Sequence, residues 1–226
     1  MEETVVVVLC GGRSVRFPGA NKLFVYLKDK PVFVHTLLAF KDFPVVLVIP
    51  NGERMIFAQY LECYNLNPYK IVYGGRNRQE SVINAVKELD GFKYIAVHDG
   101  ARPLISKKDI NNVIKDAKTY SAAVLGVPVK DTIKSYTSTE NGLPLNSAKL
   151  TTFDRKNLYA IQTPQVFEFN LYKKEILCAS EEYTDDAQIF ENANLSVHLT
   201  IGSYSNIKIT TKEDIAVAEA YMSNGF

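Results

Sequence analysis

The sequence predicts a single α/β domain built on a mostly parallel sheet, and three observations carry that expectation. Short β-branched runs alternate with stretches whose apolar residues recur at helical spacing, the pattern of strands joined by crossover helices. The 226 residues are 46% hydrophobic and 23% charged, enough apolar material for one soluble core without a second domain. The first apolar run ends abruptly in Cys10, Gly11, Gly12 and Arg13, as a buried strand does on leaving a sheet for a ligand-binding loop.

Thr4 to Leu9 is the first strand, because its valines form an unbroken β-branched run. Pro31 to Phe40 reads as a helix, Val45 to Ile49 as the next strand, and Arg54 to Tyr64 as the helix after it. Lys70 to Tyr73 returns to the sheet, and Asn77 to Leu89 is helical, with Val82, Val86 and Leu89 on one face. Lys93 to His98 and Ala122 to Val127 are strands, with Lys108 to Tyr120 as the helix between them. From Thr132 to Asp154 the rhythm breaks. This segment is polar, alternates weakly and carries the turn pair Asn141-Gly142, which predicts a projecting hairpin. Near the end, Thr211 with Asp214 three residues later resembles a capping box, and Ile215, Ala218 and Met222 continue a helical stripe.

The 26 basic and 25 acidic side chains give a formal charge of +1, which offers no general attraction for nucleic acid or an anionic membrane. An anion site therefore has to be local. Cys10, Cys63 and Cys178 are odd in number and lack metal-ligand rhythm, so they read as reduced thiols in a cytoplasm. The opening apolar run is too short to span a bilayer, and Met1-Glu2-Glu3 lacks the positive flank of a signal peptide. The chain is expected to begin as written. No internal repeat or low-complexity segment stands out.

Parallel α/β sheets place ligands beyond the carboxyl ends of their strands. After the first strand, Gly11 and Gly12 let the backbone approach a phosphate, while Arg13 and Arg16 supply donors. The GxxxxGK[ST] spacing of a P-loop is missing, and Ser14 stands where a dinucleotide fingerprint needs glycine. Taken alone, the loop reads equally well as a tight turn with surface arginines. YGGRNRQESV, residues 73–82, again runs from strand through paired glycines into a helix, either a second backbone-lined site or an ordinary turn. VHDGARP, residues 97–103, puts Asp99 at the end of a buried strand, where a carboxylate holds Mg²⁺ against a polyphosphate or merely forms a turn. His98 is read as a packed strand residue with its side chain turned away from Asp99.

With LCGGRSVRF and Lys22, then GGRNRQESV, VHDGARP, PVKDTIK, FDRKNLYAIQTPQVF, YTDDA and SNIKITTKED in that order, the chain resembles the 2-C-methyl-D-erythritol 4-phosphate cytidylyltransferase family. The match runs from about Val5 to about Ala220. The resemblance implies a single domain over residues 1–226 with a Rossmann-like nucleotidyltransferase fold and a projecting β-arm at about 132–154. It implies an enzyme of the non-mevalonate isoprenoid pathway that joins CTP to 2-C-methyl-D-erythritol 4-phosphate and releases pyrophosphate. A phosphate oxygen would attack the α-phosphorus, with no general base, since that phosphate is already ionised.

By the same resemblance, Arg16, Lys22 and Lys208 supply positive charge at the α-phosphate, and Asp99 positions Mg²⁺ on the triphosphate. The backbone of Cys10, Gly11 and Gly12 surrounds the triphosphate, with Gly75, Arg78 and Ser81 near the cytosine and Gly100 near the ribose. Arg102, Thr132, Arg155, Thr163 and Thr184 meet the sugar phosphate, and Thr132 and Arg155 reach a neighbouring subunit's site from the arm of a homodimer. The bland alternatives are solvated lysines at 22 and 208, Thr184 as the N-cap of a helix beginning near Asp185, and an Arg155–Asp154 pair.

Family loops usually carry glycine where this chain has Ser14 and methionine where it has Phe17. Ribitol-5-phosphate cytidylyltransferase shares the CTP half and the TPQ and NxKIT segments, but HDGARP and PVKDTIK favour the methylerythritol enzyme. A non-catalytic nucleotide-binding regulatory domain is disfavoured by Lys22, Asp99 and Lys208, and a nicotinamide dehydrogenase by the absent glycine fingerprint.

Overall fold

A computed structural model describes residues 3–11, 21–137 and 149–225. In chain order the elements begin with β1 (Thr4–Leu9), the short pair β2 (Tyr26–Leu27) and β3 (Lys30–Pro31), α1 (Val32–Ala39), β4 (Val45–Ile49) and α2 (Arg54–Cys63). They continue with β5 (Lys70–Tyr73), α3 (Arg78–Lys87), β6 (Tyr94–Asp99), α4 (Lys107–Tyr120) and β7 (Ala122–Pro128). After β8 (Lys134–Thr137) and β9 (Lys149–Thr152) come β10 (Tyr159–Glu168), α5 (Phe169–Cys178), α6 (Ala187–Asn192), β11 (His198–Ile201) and α7 (Glu213–Ser223).

Seven strands form the central sheet in the order β11-β7-β10-β6-β1-β4-β5, and β10 alone runs antiparallel to its neighbours. The chain passes from β1 outward to β4 and β5, then crosses back to lay β6 on the other side of β1. Strand order therefore reverses between β1 and β6. There the loops leaving the two carboxyl ends diverge and open a crevice, and the register sets Leu9 directly beside Asp99.

Strand periodicity sorts the core into two layers. Val6, Val8, Leu47 and Ala96 face Phe33 and Leu37 of α1, Phe57 of α2 and Val113 of α4. Val5, Val7, Val48, Ile95 and Val97 face Val82 and Val86 of α3, Tyr172 of α5 and Phe190 of α6. Val82, Val86 and Leu89 share this second layer, as their spacing predicted. The same alternation sends Asp99 toward the α3 layer and His98 to the opposite face, against the Phe40 ring at 4.8 Å.

Each strand and helix expected up to residue 127 is present, three strands with the expected ends and the other elements within two residues of them; the fourth strand runs Tyr94–Asp99 rather than Lys93 to His98. The predicted hairpin has its two legs, β8 and β9, paired antiparallel from Lys134↔Thr152 to Thr137↔Lys149, while its Asn141-Gly142 turn lies outside the described residues. The box expected from Thr211 and Asp214 does not form, since Lys212 holds the N-cap position of α7 without a side-chain cap; Asp214 ties down the turn before the helix instead. Its carboxylate accepts from the Thr210 hydroxyl and from the backbone N–H groups of Thr210 and Thr211. Ala218 of that helix packs with Leu27, Val32 and Ile209. All three cysteines are free thiols. Among the described residues no helix is long and apolar enough to cross a membrane.

His98 is fully buried and sits in a closed hydrogen-bond chain. The Asp99 N–H donates to Thr163 Oγ1 at 3.1 Å, the Thr163 hydroxyl meets His98 Nδ1 at 3.1 Å, and His98 Nε2 lies 3.2 Å from the Arg102 carbonyl. A carbonyl only accepts, so Nε2 carries the proton, Nδ1 accepts from the hydroxyl, and the neutral ring satisfies every partner. Burial outweighs the pull of Asp99 and lowers the imidazole from 6.5 to about 3. The unfolded chain therefore binds a proton that the folded chain does not, and stability falls as the pH drops below about 6.5. Unfolding free energy measured by urea titration is expected to fall by about 2 kcal/mol from pH 7 to pH 5 on this account. A His98→Asn variant should have a shallower slope over that interval; an identical slope would show that His98 does not set it.

Candidate functional site

The crevice between β1 and β6 opens into a cavity of about 780 Å³. Cys10, Gly11, Lys22, Gly75, Arg78, Ser81, Asp99 and Lys208, eight of the residues singled out from the sequence, line it. Asn51, which no motif contains, and Asn77 of the GGRNRQESV stretch line it as well. Arg16 and Gly12 lie outside the described residues, as do Ser14 and Phe17.

One wall is the turn from β5 into α3. Asn77 caps α3 by accepting from the Glu80 N–H at 2.8 Å, so the amino end of the helix faces the cavity, where a helix favours an anion. Ser81 ties the turn down: its Oγ accepts from the Gly75 N–H at 3.0 Å and donates to the Asn77 carbonyl at 2.8 Å. Gly75 is required there because a Cβ would stand 2.3 Å from Glu80 Cβ. Gly100 meets the same constraint behind Asp99, where a Cβ would lie 2.4 Å from Cys10 Sγ and 2.9 Å from the Leu9 carbonyl oxygen.

Asp99 is the electrostatic centre. Lys208 Nζ lies 2.8 Å from its Oδ2, Arg78 Nε 3.7 Å from Oδ1 and Arg102 Nε 3.7 Å from Oδ2. Burial alone would raise the carboxyl, but the Lys208, Arg78 and Arg102 charges outweigh it and hold Asp99 well below the usual carboxylate range. Arg78 is held in turn by Asp186, whose Oδ2 accepts from Nη2 at 2.6 Å. Burial works against the Arg78 charge, yet Asp186 and Asp99 reverse that and keep the guanidinium ionised. Arg102 donates from Nη1 to the Asn206 carbonyl at 2.8 Å, while its buried Nε has no hydrogen-bond partner among the described residues.

Lys208 is thus an ion-paired group at the cavity rather than a solvated surface lysine. Lys22 opens a 3-10 turn, Lys22–Phe24, which Asn21 caps by accepting from the Leu23 N–H. The proposed sugar-phosphate set is more dispersed. Thr163 is 5% exposed and spends its hydroxyl inside the protein, on Asp99 and His98. Thr184 is exposed and bonds the Gln188 side chain; the helix beyond it begins at Ala187, with Asp186 rather than Thr184 at the N-cap position. Arg155 does not pair with Asp154. It donates to the Lys130 carbonyl at 2.7 Å, and Asp154 accepts from the Lys156 N–H. Thr132 lies at the exposed base of the hairpin.

The motif reading missed Gln165, Tyr172 and Asn206. Gln165 Oε1 accepts from the N–H groups of Asp186 and Ala187, and Asn206 donates to the Thr163 carbonyl at 2.9 Å. A buried polar residue inside TPQ or SNIK was the available signal, since such groups are retained where something must be satisfied.

The profile of the 2-C-methyl-D-erythritol 4-phosphate cytidylyltransferase family matches residues 4–224. A Caldanaerobacter subterraneus protein of that name is 41% identical, covering 96% of this chain and 97% of its own. A Bacillus velezensis protein of the same name is 40% identical over 97% of this chain and 96% of its own. Among solved structures, the Anaerococcus prevotii 4-diphosphocytidyl-2C-methyl-D-erythritol synthase superposes with a TM-score of 0.80 at 28% identity, covering 98% of this chain and 96% of that one. The Thermus thermophilus 2-C-methyl-D-erythritol 4-phosphate cytidylyltransferase superposes with a TM-score of 0.76 at 27% identity, covering 99% and 100%.

Replacing Asp99 with Asn leaves Arg78, Arg102 and Lys208 facing one another without their shared carboxylate. Removing one partner of a sealed ion pair costs roughly 3–5 kcal/mol; Lys208 is partly open to water, so about 2–3 kcal/mol is expected at neutral pH. Because the folded carboxyl titrates below the unfolded one, the wild-type advantage is fully present above about pH 4 and shrinks as the pH falls through the folded value. Paired denaturation curves check this; a deficit unchanged into strong acid would mean that the charge of Asp99 is not its source.

Proposed function

The chain belongs to the 2-C-methyl-D-erythritol 4-phosphate cytidylyltransferase family, and we propose that the cavity between β1, β6 and α3 is its catalytic site. The enzyme joins CTP to 2-C-methyl-D-erythritol 4-phosphate, giving 4-diphosphocytidyl-2-C-methyl-D-erythritol and pyrophosphate for isoprenoid synthesis. The observation that carries the site is the convergence of Lys22, Arg78 and Lys208, from three separate stretches of chain, on one crevice at the carboxyl ends of parallel strands.

A phosphate oxygen of the sugar substrate attacks the α-phosphorus of CTP, and the bond from that phosphorus to the bridging oxygen of the β-phosphate breaks. Negative charge builds on the α-phosphoryl oxygens and on the departing pyrophosphate, so fixed cations accelerate the step. Lys22, Lys208 and Arg16 take that role. The amides of Cys10, Gly11 and Gly12 receive the triphosphate, Gly75, Arg78 and Ser81 line the cytosine side, and Gly100 leaves space near the ribose. Among the described cavity-lining residues Asp99 is the single carboxylate, and no group of three His, Cys, Asp or Glu forms a metal cage. That donor set fits Mg²⁺, which takes one or two carboxylates plus substrate phosphates. Bound there by Asp99, it would neutralise phosphate charge.

Arg102, Thr163 and Thr184 form the sugar-phosphate side from the same chain, with Thr163 acting through the Asp99 backbone it braces. Thr132 and Arg155 complete the neighbouring site in a homodimer. The hairpin supports this reading: Tyr136 is 62% exposed, Leu150 58% and Phe153 46%, an apolar surface larger than an isolated two-stranded ribbon keeps in water. The protein works in the cytoplasm as a single domain.

Lys22→Ala is expected to lower kcat by about a hundredfold or more in steady-state assays of pyrophosphate release, the range for losing one electrostatic stabiliser. Near-normal kcat in a folded variant removes Lys22 from the catalytic set. Mixing tests the arm. A Lys22→Ala protomer and an Arg155→Ala protomer, if Arg155 acts across the interface, place both lesions in one site of the heterodimer and leave the other intact. Activity should then recover toward half of wild type per heterodimer once subunits exchange. Exchange without recovery would show that Arg155 serves its own chain.

A further inference from the structure

We infer that Asp186, steadied by the Tyr172 hydroxyl, is the positioning residue that fixes Arg78 for nucleotide binding. The inference rests on the reading of Arg78 as a nucleotide contact.

Arg78 lines the cavity, but its closest partner is behind the wall. Nη2 lies 2.6 Å from Asp186 Oδ2, whereas Nε stands 3.7 Å from Asp99. Asp186 is 1% exposed and absent from the cavity lining, so it meets the nucleotide only through Arg78. Its other oxygen accepts from the hydroxyl of Tyr172, which is fully buried and stacked on Phe167 at 4.7 Å. Burial, together with the neighbouring Asp186 charge, drives the phenol well above its ordinary value, so it remains a donor. The backbone of Asp186 is pinned as well: its N–H and that of Ala187 both donate to Gln165 Oε1, at 3.0 and 3.1 Å.

The consequence is directional. A guanidinium is long and rotamer-rich, and one with only Asp99 for an anchor would lose that anchor whenever a ligand engaged Asp99. Fork geometry lets one nitrogen bond Asp186 while the others keep facing the cavity. Asp186 thus keeps Arg78 in place independently of what Asp99 is doing, which is pre-organisation for an anionic or polar ligand.

The test uses the full-length protein, calorimetric titration with CTP, steady-state kinetics and thermal melts. Asp186→Asn keeps the shape and removes the charge; Tyr172→Phe removes one hydroxyl and serves should the first variant not fold. Asp186→Asn is expected to weaken CTP binding about tenfold and Tyr172→Phe about threefold, in line with losing hydrogen bonds to charged groups. KM for CTP should rise with these losses, while kcat and the KM for the sugar phosphate stay within about twofold. In an Arg78→Ala background, adding Asp186→Asn should change CTP affinity less than about twofold. Wild-type CTP affinity in a folded Asp186→Asn protein, when Arg78→Ala is weakened, overturns the positioning role alone. Additive losses in the double variant, or a parallel rise in both KM values, overturn it too. Normal CTP affinity in Arg78→Ala overturns the reading of Arg78, and this inference with it.

Discussion

A carboxylate buried at the end of a central strand has to be neutralised where it stands, and the neutralisation of Asp99 organises this protein. Strand alternation points its side chain toward the α3 layer. The compensating cations come from far apart in the sequence: Arg78 from the first turn of α3, Arg102 from the loop after β6, and Lys208 from the approach to α7. Arg102 is three residues from Asp99, but the stretches that carry Arg78 and Lys208 have no local reason to converge on it. The sheet delivers them, because the segments leaving the carboxyl ends of β5, β6 and β11 all emerge on one side.

The backbone of Asp99 is fixed from the other face. Thr163 accepts its N–H, His98 accepts the Thr163 hydroxyl, and the His98 ring donates to the carbonyl of Arg102, closing a loop around the HDGAR turn. The Gly100 carbonyl is taken by the Thr36 hydroxyl at 2.9 Å. Two neighbouring residues of β6 thereby do opposite things. His98 stays neutral inside the protein while Asp99 stays charged at its edge, and the difference is the set of partners that each face supplies.

The sheet was legible in the sequence because its strands are buried on both faces and so read as unbroken runs such as TVVVVL, with helices between them at a clear period. The hairpin showed through the break in that rhythm. The region 159–201 was not resolved into elements, since β10 is exposed at one end, buried at the other and interrupted at the Ile161/Gln165 register shift, so neither period holds along it. Local motifs found the residues lining the cavity, because glycines and cations in short turns leave a local signature. They could not find Asp186 behind Arg78, 108 positions away, since no spacing rule connects a side chain to the counter-ion that holds it.

Charge arithmetic explains why so neutral a chain handles two anionic substrates. Arg78, Arg102 and Lys208 face Asp99 and Asp186, so this network carries one positive charge more than it carries negative. That excess equals the formal charge of +1 for the whole chain. An excess concentrated in a low-dielectric crevice acts on a phosphate far more strongly than the same charge spread over a surface, where water and salt screen it. The surface can then remain balanced in charge, because the attraction for phosphate is built into the fold rather than into the composition.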